Sequence, residues 1–205
     1  KNHLPIIGQR AGIDFFEGDT DGLDVRFDDD GDRIAFYEKG RKIPSEFIFT
    51  LLIETINFKK VVFDFRFSRS IYEKLEELGV TKIPSKVGRF NVYNQMIKED
   101  ADFGSETSGH FYFKHFDYLE APELMMLLVI NILKQEGKTL TELAMPYKRY
   151  FKSDEISLPT SDKSFEILAN QYSHAQVNHF DGLTIDLWEK EGWWFNLRLS
   201  HTEPS

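Results

Sequence analysis

The sequence predicts an α/β fold in which a mixed or parallel sheet is sandwiched by helices. Strand and helix patterns alternate from "KVVFDFRF" (60–67) through "SRSIYEKLEELG" (68–79) and "VTKIP" (80–84) to "RFNVYNQMIKED" (89–100). Such alternation is typical of parallel strands that are joined by helices. The chain can also build a large core, because 41% of its residues are hydrophobic and nineteen are Phe.

Two strands and a helix are predicted before this alternation. "LDVRF" (23–27) alternates in polarity and "RIAFYE" (33–38) is a second strand pattern, so an acidic loop joins two strands. "PSEFIFTLLIETIN" (44–57) begins with Pro and Ser and carries apolar residues at helical spacing, which predicts a helix.

The remaining segments complete this domain and begin another. "ADFGSETSGHFYF" (101–113) predicts a strand, a glycine-bounded loop and a second strand, and "APELMMLLVINILKQEG" (121–137) predicts an apolar, structural helix. The C-terminal part predicts a small α+β unit, with a strand, a helix and a hairpin at "EISL" (155–158), "SDKSFEILANQYS" (161–173) and "DGLTIDLWEKEGWWFNLRLS" (181–200).

These patterns divide the chain near residues 58 and 150. We therefore expect three units, at 1–57, 58–149 and 150–205. The sequence starts without Met and stops at "HTEPS" with no closing element, so we expect a fragment of a longer protein.

Composition excludes several classes of function. The net charge of −9 argues against a general nucleic-acid binder, since no long basic stripe offsets it. The longest apolar run, "LMMLLVINIL" (124–133), is too short to cross a bilayer, and no signal peptide opens the chain. The absence of Cys suits a reducing compartment, so we expect a cytoplasmic protein without a membrane partner.

The acidic loop in "FDDDGDRIAF" (27–36) is a candidate metal site. Asp28, Asp30 and Asp32 alternate along the chain, so a looping backbone can turn three carboxylates toward one point. Mg²⁺ prefers such oxygen ligands and is often shared with a substrate phosphate. The alternative is a solvated acidic turn, but the flanking strands and the adjacent Arg33 favour the metal.

A calcium loop is the second alternative for this region. The frame that starts at Glu17 has Asp19, Asp21 and Gly22 in register, and it ends at Asp28. It begins with Glu and lacks flanking amphipathic helices, so a calcium-stabilised interaction module ranks last among the hypotheses.

A second polar loop lies inside "FGSETSGHFYF" (103–113). Glu106 and Ser108 can present a carboxylate and a hydroxyl to neighbouring hydroxyls of a sugar. His110 follows them, and it can equally be a hydrogen-bonded core residue.

A third loop, "RLSHTEP" (198–204), follows a predicted strand. Arg198, Ser200 and Thr202 alternate, so a guanidinium group and two hydroxyls could converge on a phosphate. The alternative is an ordinary strand exit that Pro204 closes.

Together, "DDDGDR", "SETSGH" and "RLSHTEP" resemble the three signature loops of the α-D-phosphohexomutase family, in the family's order. The signatures are Asp-x-Asp-x-Asp-Arg for metal, Gly-Glu-x-Ser-Gly-His for sugar and Arg-x-Ser-x-Thr-Glu-Pro for phosphate. "FNLRLSHTEP" and the spacing of "KVGR" are most similar to the bacterial phosphomannomutase branch. Ser105 departs from the pattern, because the family has Gly there.

The resemblance implies a role for each matching residue. Asp28, Asp30 and Asp32 would hold Mg²⁺ beside an active-site phosphoserine, and Arg33 would contact the phosphoryl group during transfer. The phosphate that is not transferred would be bound by Arg198, Ser200, His201 and Thr202.

The sugar-binding part is implied in the same way. Glu106 and Ser108 would bind the sugar hydroxyls, with His110 supporting the loop. "SKVGRF" (85–90) matches a loop that usually reads Val-Gly-His, so Lys86 would bind substrate and Arg89, in place of His, would keep a cation facing the phosphate.

The resemblance also implies the fold and the activity. The three units would be the end of domain 2, all of domain 3 and the first part of domain 4 of a phosphohexomutase. The sequence contains no Thr-x-Ser-His-Asn stretch, so the phosphoserine would lie in an N-terminal domain of the same protein. The expected reaction interconverts hexose 6-phosphate and hexose 1-phosphate through a hexose 1,6-bisphosphate, with mannose as the expected sugar and with this chain alone inactive. A non-catalytic sugar-phosphate binder is the alternative.

Overall fold

The computed structural model describes residues 22–158 and 162–199, which begin with a three-stranded antiparallel sheet. Its strands are β1 (Leu23–Phe27), β2 (Ile34–Glu38) and β3 (Arg41–Ile43). Phe27 pairs directly with Ile34, so the acidic loop is the whole connection between the first two strands. The sequence predicted the first two strands and missed the third.

A five-stranded mixed sheet forms the centre of the molecule. Its strands lie in the order β5, β4, β6, β7, β8, where β4 pairs in parallel with β5 and β6, and the other pairs are antiparallel. Their bounds are Lys60–Asp64 (β4), Thr81–Ser85 (β5), Phe103–Ser105 (β6), Phe111–Phe113 (β7) and Leu119–Glu120 (β8). The prediction of a mixed α/β sheet is therefore confirmed.

Helices cover both faces of this sheet. Their bounds are Ser45–Thr55 (α1), Arg69–Glu77 (α2), Arg89–Glu99 (α3), Pro122–Glu136 (α4) and Leu140–Ala144 (α5). Successive strand residues point to opposite faces, so Phe63 joins the large core with α1, whereas Val62 joins a smaller core with α3. Phe49 of α1 stacks on Phe103 of β6 with ring centroids 5.1 Å apart, and both rings are fully buried. Each described helix is too short or too polar to span a membrane.

The C-terminal part is a small antiparallel unit. Its elements are α6 (Asp162–Gln171), β9 (Gln176–Asn178), β10 (Leu183–Asp186), the one-turn helix α7 (Trp188–Glu191) and β11 (Trp194–Leu197). β10 lies between β11 and β9, so the predicted hairpin is confirmed. The strand predicted at 155–158 is wrong, because this exposed segment has no partner strand among the described residues.

Candidate active site

One cleft of about 620 Å³ brings most of the predicted site residues together. It is lined by Asp30, Asp32, Arg33, Arg66, Val87, Gly88, Arg89, Glu106, Thr107, Ser108, His110, Glu155 and Arg198. The lining combines four guanidinium groups with four carboxylates. Such a set can bind a ligand that carries both phosphate and hydroxyl groups.

The fold explains why the acidic loop and the polar loop at 105–110 meet. The backbone N–H of Ile34, at the start of β2, donates to the carbonyl of Gly109 over 3.0 Å. Gly109 has φ +100°, and a Cβ there would lie 2.7 Å from the Ile34 carbonyl oxygen. Only glycine permits this close approach, so the position ties the two loops together.

The acidic loop is held by its own backbone. Asp28 Oδ1 accepts the Arg33 N–H over 3.2 Å, and the Asp28 carbonyl accepts the Gly31 N–H over 3.1 Å. Partial burial raises the pKa of Asp28, but hydrogen bonds from the Arg33 backbone and the Asp32 side chain, with the Arg33 charge, hold it below its usual value. The carboxylate therefore stays ionised at neutral pH.

Two observations at Asp32 are consistent with a cation beside this loop. Asp32 Oδ1 is buried and has no hydrogen-bond partner among the described residues. Three potential ligand atoms also lie within 4.8 Å of one another, one each from Asp32, His110 and Glu120. A buried, unpaired carboxylate oxygen is costly unless a cation satisfies it. Asp30 lines the cleft, whereas Asp28 supports the loop from outside the lining.

Arg89 lies between two carboxylates. Its Nη1 is 3.0 Å from Asp32 Oδ2, and its Nε is 2.5 Å from Glu120 Oε1. Burial lowers the pKa of Arg89, but the Glu120 and Asp32 charges outweigh burial and raise it. Arg89 therefore supplies a permanent positive charge beside the acidic loop.

His110 connects the acidic loop to Ser108. Arg33 Nε donates to His110 Nε2 over 3.3 Å, which leaves the proton on Nδ1. Nδ1 lies 2.9 Å from Ser108 Oγ and can donate to it. His110 is buried, and its hydrogen bonds fix the position of Ser108 within the loop.

Glu106 is a buried acceptor at the floor of the cleft. Its Oε1 accepts the Tyr112 hydroxyl over 2.5 Å. Burial raises the pKa of Glu106, and the opposing effects of Tyr112 and His110 are smaller. A carboxylate held in this way can accept hydrogen bonds from ligand hydroxyl groups.

Arg66 lines the cleft, and the sequence analysis missed it. Asp64 accepts from its Nε at 2.9 Å and from its Nη2 at 2.6 Å, and Thr107 Oγ1 accepts from Nη2 at 2.8 Å. Its Nη1 pairs with Glu155. The signal was available, because Asp64 and Arg66 alternate at the carboxyl end of a parallel strand, where α/β proteins place their sites.

Besides Asp28, four predicted residues lie outside the cleft lining or outside the described residues. The Lys86 ammonium lies 6.0 Å from the Phe180 ring centroid, outside the cleft lining. Ser200, His201 and Thr202 lie outside the described residues, as do residues 17–21 of the calcium frame at 17–28. Of the predicted phosphate loop, Arg198 is described, and it lines the cleft.

Comparisons with known proteins identify relatives. The family model "Phosphoglucomutase/phosphomannomutase, alpha/beta/alpha domain III" matches residues 45–150. A phosphomannomutase of Methanocaldococcus jannaschii is 33% identical over 189 residues, which are 89% of this chain and 41% of that protein. The chain therefore spans about two fifths of that relative's length.

Solved structures share the fold. A phosphoglucomutase/phosphomannomutase family protein from Burkholderia thailandensis superposes with a TM-score of 0.63 at 20% identity, covering 80% of this chain and 37% of that one. An N-acetylphosphoglucosamine mutase from Aspergillus fumigatus, solved with GlcNAc-6P and magnesium, has a TM-score of 0.51 at 18% identity and covers 79% of this chain and 43% of that one.

Proposed function

The chain belongs to the phosphoglucomutase/phosphomannomutase family, and we propose that it carries the metal, sugar and phosphate loops of a phosphohexomutase. The proposed reaction interconverts hexose 6-phosphate and hexose 1-phosphate, with mannose as the expected sugar. One observation carries this proposal: Asp30, Glu106 and Arg198, from three separate loops, line a single cleft. The name of the Methanocaldococcus relative supports the choice of mannose.

Asp28, Asp30 and Asp32 would hold Mg²⁺ in this proposal. The unpaired buried oxygen of Asp32 supports it, and so does the magnesium in the Aspergillus structure. The ion, when bound, neutralises negative charge on a phosphoryl group. Arg89, which contacts Asp32, would add positive charge on the same side of the cleft.

The other residues would bind the two ends of the sugar phosphate. Arg33 lies beside the acidic loop and would contact the phosphoryl group in transfer, while Arg198 would bind the phosphate that stays in place. Between these ends, Glu106 would accept hydrogen bonds from sugar hydroxyls, and the Ser108 hydroxyl would donate a hydrogen bond to them. Transfer from phosphoserine to the free hydroxyl gives a bisphosphate, which reorients and returns its other phosphoryl group to serine, so phosphate, protons and charge balance over the cycle.

The 205-residue chain by itself should show no mutase turnover. Its sequence contains no Thr-x-Ser-His-Asn stretch that could supply the phosphoserine. The assay is conversion of mannose 1-phosphate with added Mg²⁺ and a hexose bisphosphate activator. Turnover by the purified chain would contradict this prediction.

Calorimetry with mannose 1-phosphate tests the binding site. Arg198→Ala removes charge-assisted hydrogen bonds worth about 1.5–3 kcal/mol, so affinity should fall by about 10-fold to 100-fold. Asp30→Ala should remove the Mg²⁺-dependent part of the binding. Glu166→Ala, on the exposed face of α6, is the control and should change neither.

Two outcomes would change this assignment. If wild-type chain does not bind mannose 1-phosphate, the proposed function is wrong. If Arg198→Ala weakens binding but Asp30→Ala and Mg²⁺ have no effect, the chain is a sugar-phosphate binder without the metal chemistry of a mutase.

A further inference from the structure

The turn between β9 and β10 contacts a loop that lines the cleft and the strand that leads to Arg198. Asp181 Oδ2 accepts the Val87 backbone N–H over 2.8 Å, although 94 residues separate them. The Asp181 carbonyl accepts from Asn196 Nδ2 over 2.8 Å. Asn196 lies on β11, which leads directly to Arg198, so a single residue connects the loop at 85–89 with the strand that carries the phosphate-binding arginine.

The surroundings of Asp181 make this connection tight. Gly182 has φ +76°, and a Cβ there would overlap the carbonyl oxygen of Leu197. On the other side, Phe180 packs edge-on against Phe65 with ring centroids 5.9 Å apart. The Lys86 ammonium also lies over the Phe180 ring. The turn therefore packs against both parts that Asp181 connects.

The loop that Asp181 holds continues into the cleft. Gly88 follows Val87 and lines the cleft together with Glu106. Arg89 comes next and pairs with Asp32. A shift of Val87 would therefore disturb the sugar-binding and metal-binding ends together.

We propose that Asp181 is a positioning residue that sets the separation between Arg198 and the loop at 85–89. It contacts no ligand itself, and it acts through Val87 on one side and Asn196 on the other. A fixed separation lets a ligand with two charged ends bind both anchors without ordering the protein at the moment of binding.

The first experiment compares a two-ended ligand with a one-ended ligand, and this part rests on the proposed function. Asp181→Ala should weaken binding of glucose 1,6-bisphosphate about threefold to tenfold, the usual effect of one hydrogen bond. Binding of inorganic phosphate, measured in the same calorimeter, should stay unchanged because phosphate needs only one anchor. Asp181→Asn keeps an acceptor oxygen and should restore most of the affinity, and Asn196→Ala should weaken the bisphosphate as Asp181→Ala does.

The second experiment does not depend on any ligand. The chain has no Cys, so Glu136→Cys on α4 and Lys163→Cys on α6 can be labelled specifically with spin labels or dyes. Asp181→Ala should broaden the distance distribution between the two labels, whereas Glu166→Ala should leave it narrow.

Each outcome decides the inference. An unchanged distance distribution in both Asp181→Ala and Asn196→Ala overturns it, as does an equal loss of affinity for bisphosphate and phosphate. If wild-type chain binds neither ligand but Asp181→Ala broadens the distribution, the positioning role stands and the proposed function fails.

Discussion

Glu106 and Asp64 are both buried carboxylates, yet their surroundings have opposite effects on them. Burial dominates at Glu106 and raises its pKa. Burial also raises the pKa of Asp64, but hydrogen bonds and charge from Arg66 outweigh it and lower that pKa. The two residues should therefore contribute to stability with opposite dependence on pH.

Glu106→Gln should stabilise the chain at neutral pH by about 1 kcal/mol, a typical size for a single substitution. The folded state holds the Glu106 proton at pH values where the unfolded state has lost it, so stability falls as pH rises through the raised pKa. Gln removes that fall and keeps an acceptor for Tyr112. Urea unfolding between pH 4 and 8 measures the free energy of unfolding of both chains, and Glu136→Gln, at an exposed position, is the control. A Glu106→Gln chain that is less stable than wild type at pH 7 would refute the prediction.

Asp64→Asn should destabilise the chain by about 3 kcal/mol, because it removes the buried carboxylate that pairs with the mostly buried Arg66 charge and leaves only the exposed Glu155 as its ionic partner. The contribution of Asp64 is present at neutral pH and is lost as pH falls through its lowered pKa. The matched control is Asp24→Asn, since Asp24 and Arg26 form a similar pair at the surface, worth about 0–1 kcal/mol. Equal losses in the two variants, by urea unfolding, would contradict this account.

At the scale of elements, β2 is anchored at both of its ends. At its start, Ile34 bonds to Gly109. At its end, the buried carboxylate of Glu38 accepts the backbone N–H groups of Leu140 and Thr141 over 3.1 and 3.0 Å, at the N-terminus of α5. The strand that follows the acidic loop is therefore fixed both to the polar loop at 105–110 and to helix α5.

Gly109→Ala tests the first of these anchors. The matched control is Gly40→Ala, because Gly40 also has positive φ but its Cβ would meet nothing within 4 Å. The control should cost about 1–2 kcal/mol of stability, the ordinary cost of a Cβ in the left-handed backbone conformation. Gly109→Ala should cost about 1–3 kcal/mol more, because its Cβ would overlap the Ile34 backbone. Thermal unfolding measures both, and mannose 1-phosphate affinity should fall only in Gly109→Ala. Equal stability in the two variants would mean that the loops can separate freely.

Strand and helix positions could be read from the sequence where apolar residues repeat. β4 carries Val61, Val62 and Phe63 in succession, and α2 buries Ile71 and Leu75 at helical spacing. Strands β3, β8 and β9 have only two or three residues and read "RKI", "LE" and "QVN". Such short segments become strands because a neighbouring strand lies beside them, and no local pattern reports that neighbour.

At the scale of the whole molecule, a net charge of −9 coexists with a cleft that four arginines line. Four carboxylates line the same cleft, so anion binding there depends on where each guanidinium group lies and not on an excess of positive charge. The motifs predicted which loops meet there, because their chemistry is local. Arg66 could have been found from its place just after a parallel strand, whereas Glu155 lies in a segment without regular structure, so no sequence spacing could reveal it.

Mg²⁺ should stabilise the entire chain against heat. At a concentration one hundred times its Kd, a ligand of the folded state adds about 2.7 kcal/mol, which would raise Tm by roughly 5–10 °C. Asp32→Ala should abolish the rise, because it removes the unpaired buried oxygen. Stabilisation by Ca²⁺ that Mg²⁺ cannot reproduce would instead favour the calcium frame at 17–28.

The hydrogen bond between Ile34 and Gly109 has a consequence for engineering. The acidic loop and the polar loop at 105–110 keep a constant spacing. This bond and the Arg33–His110 contact hold them side by side, although they lie far apart in the sequence. Adapting the cleft to a longer or shorter sugar phosphate therefore calls for redesign of the turn at 178–182, which contacts the strand that leads to the third loop. Libraries directed at that turn should change ligand length preference while the other two loops are left untouched.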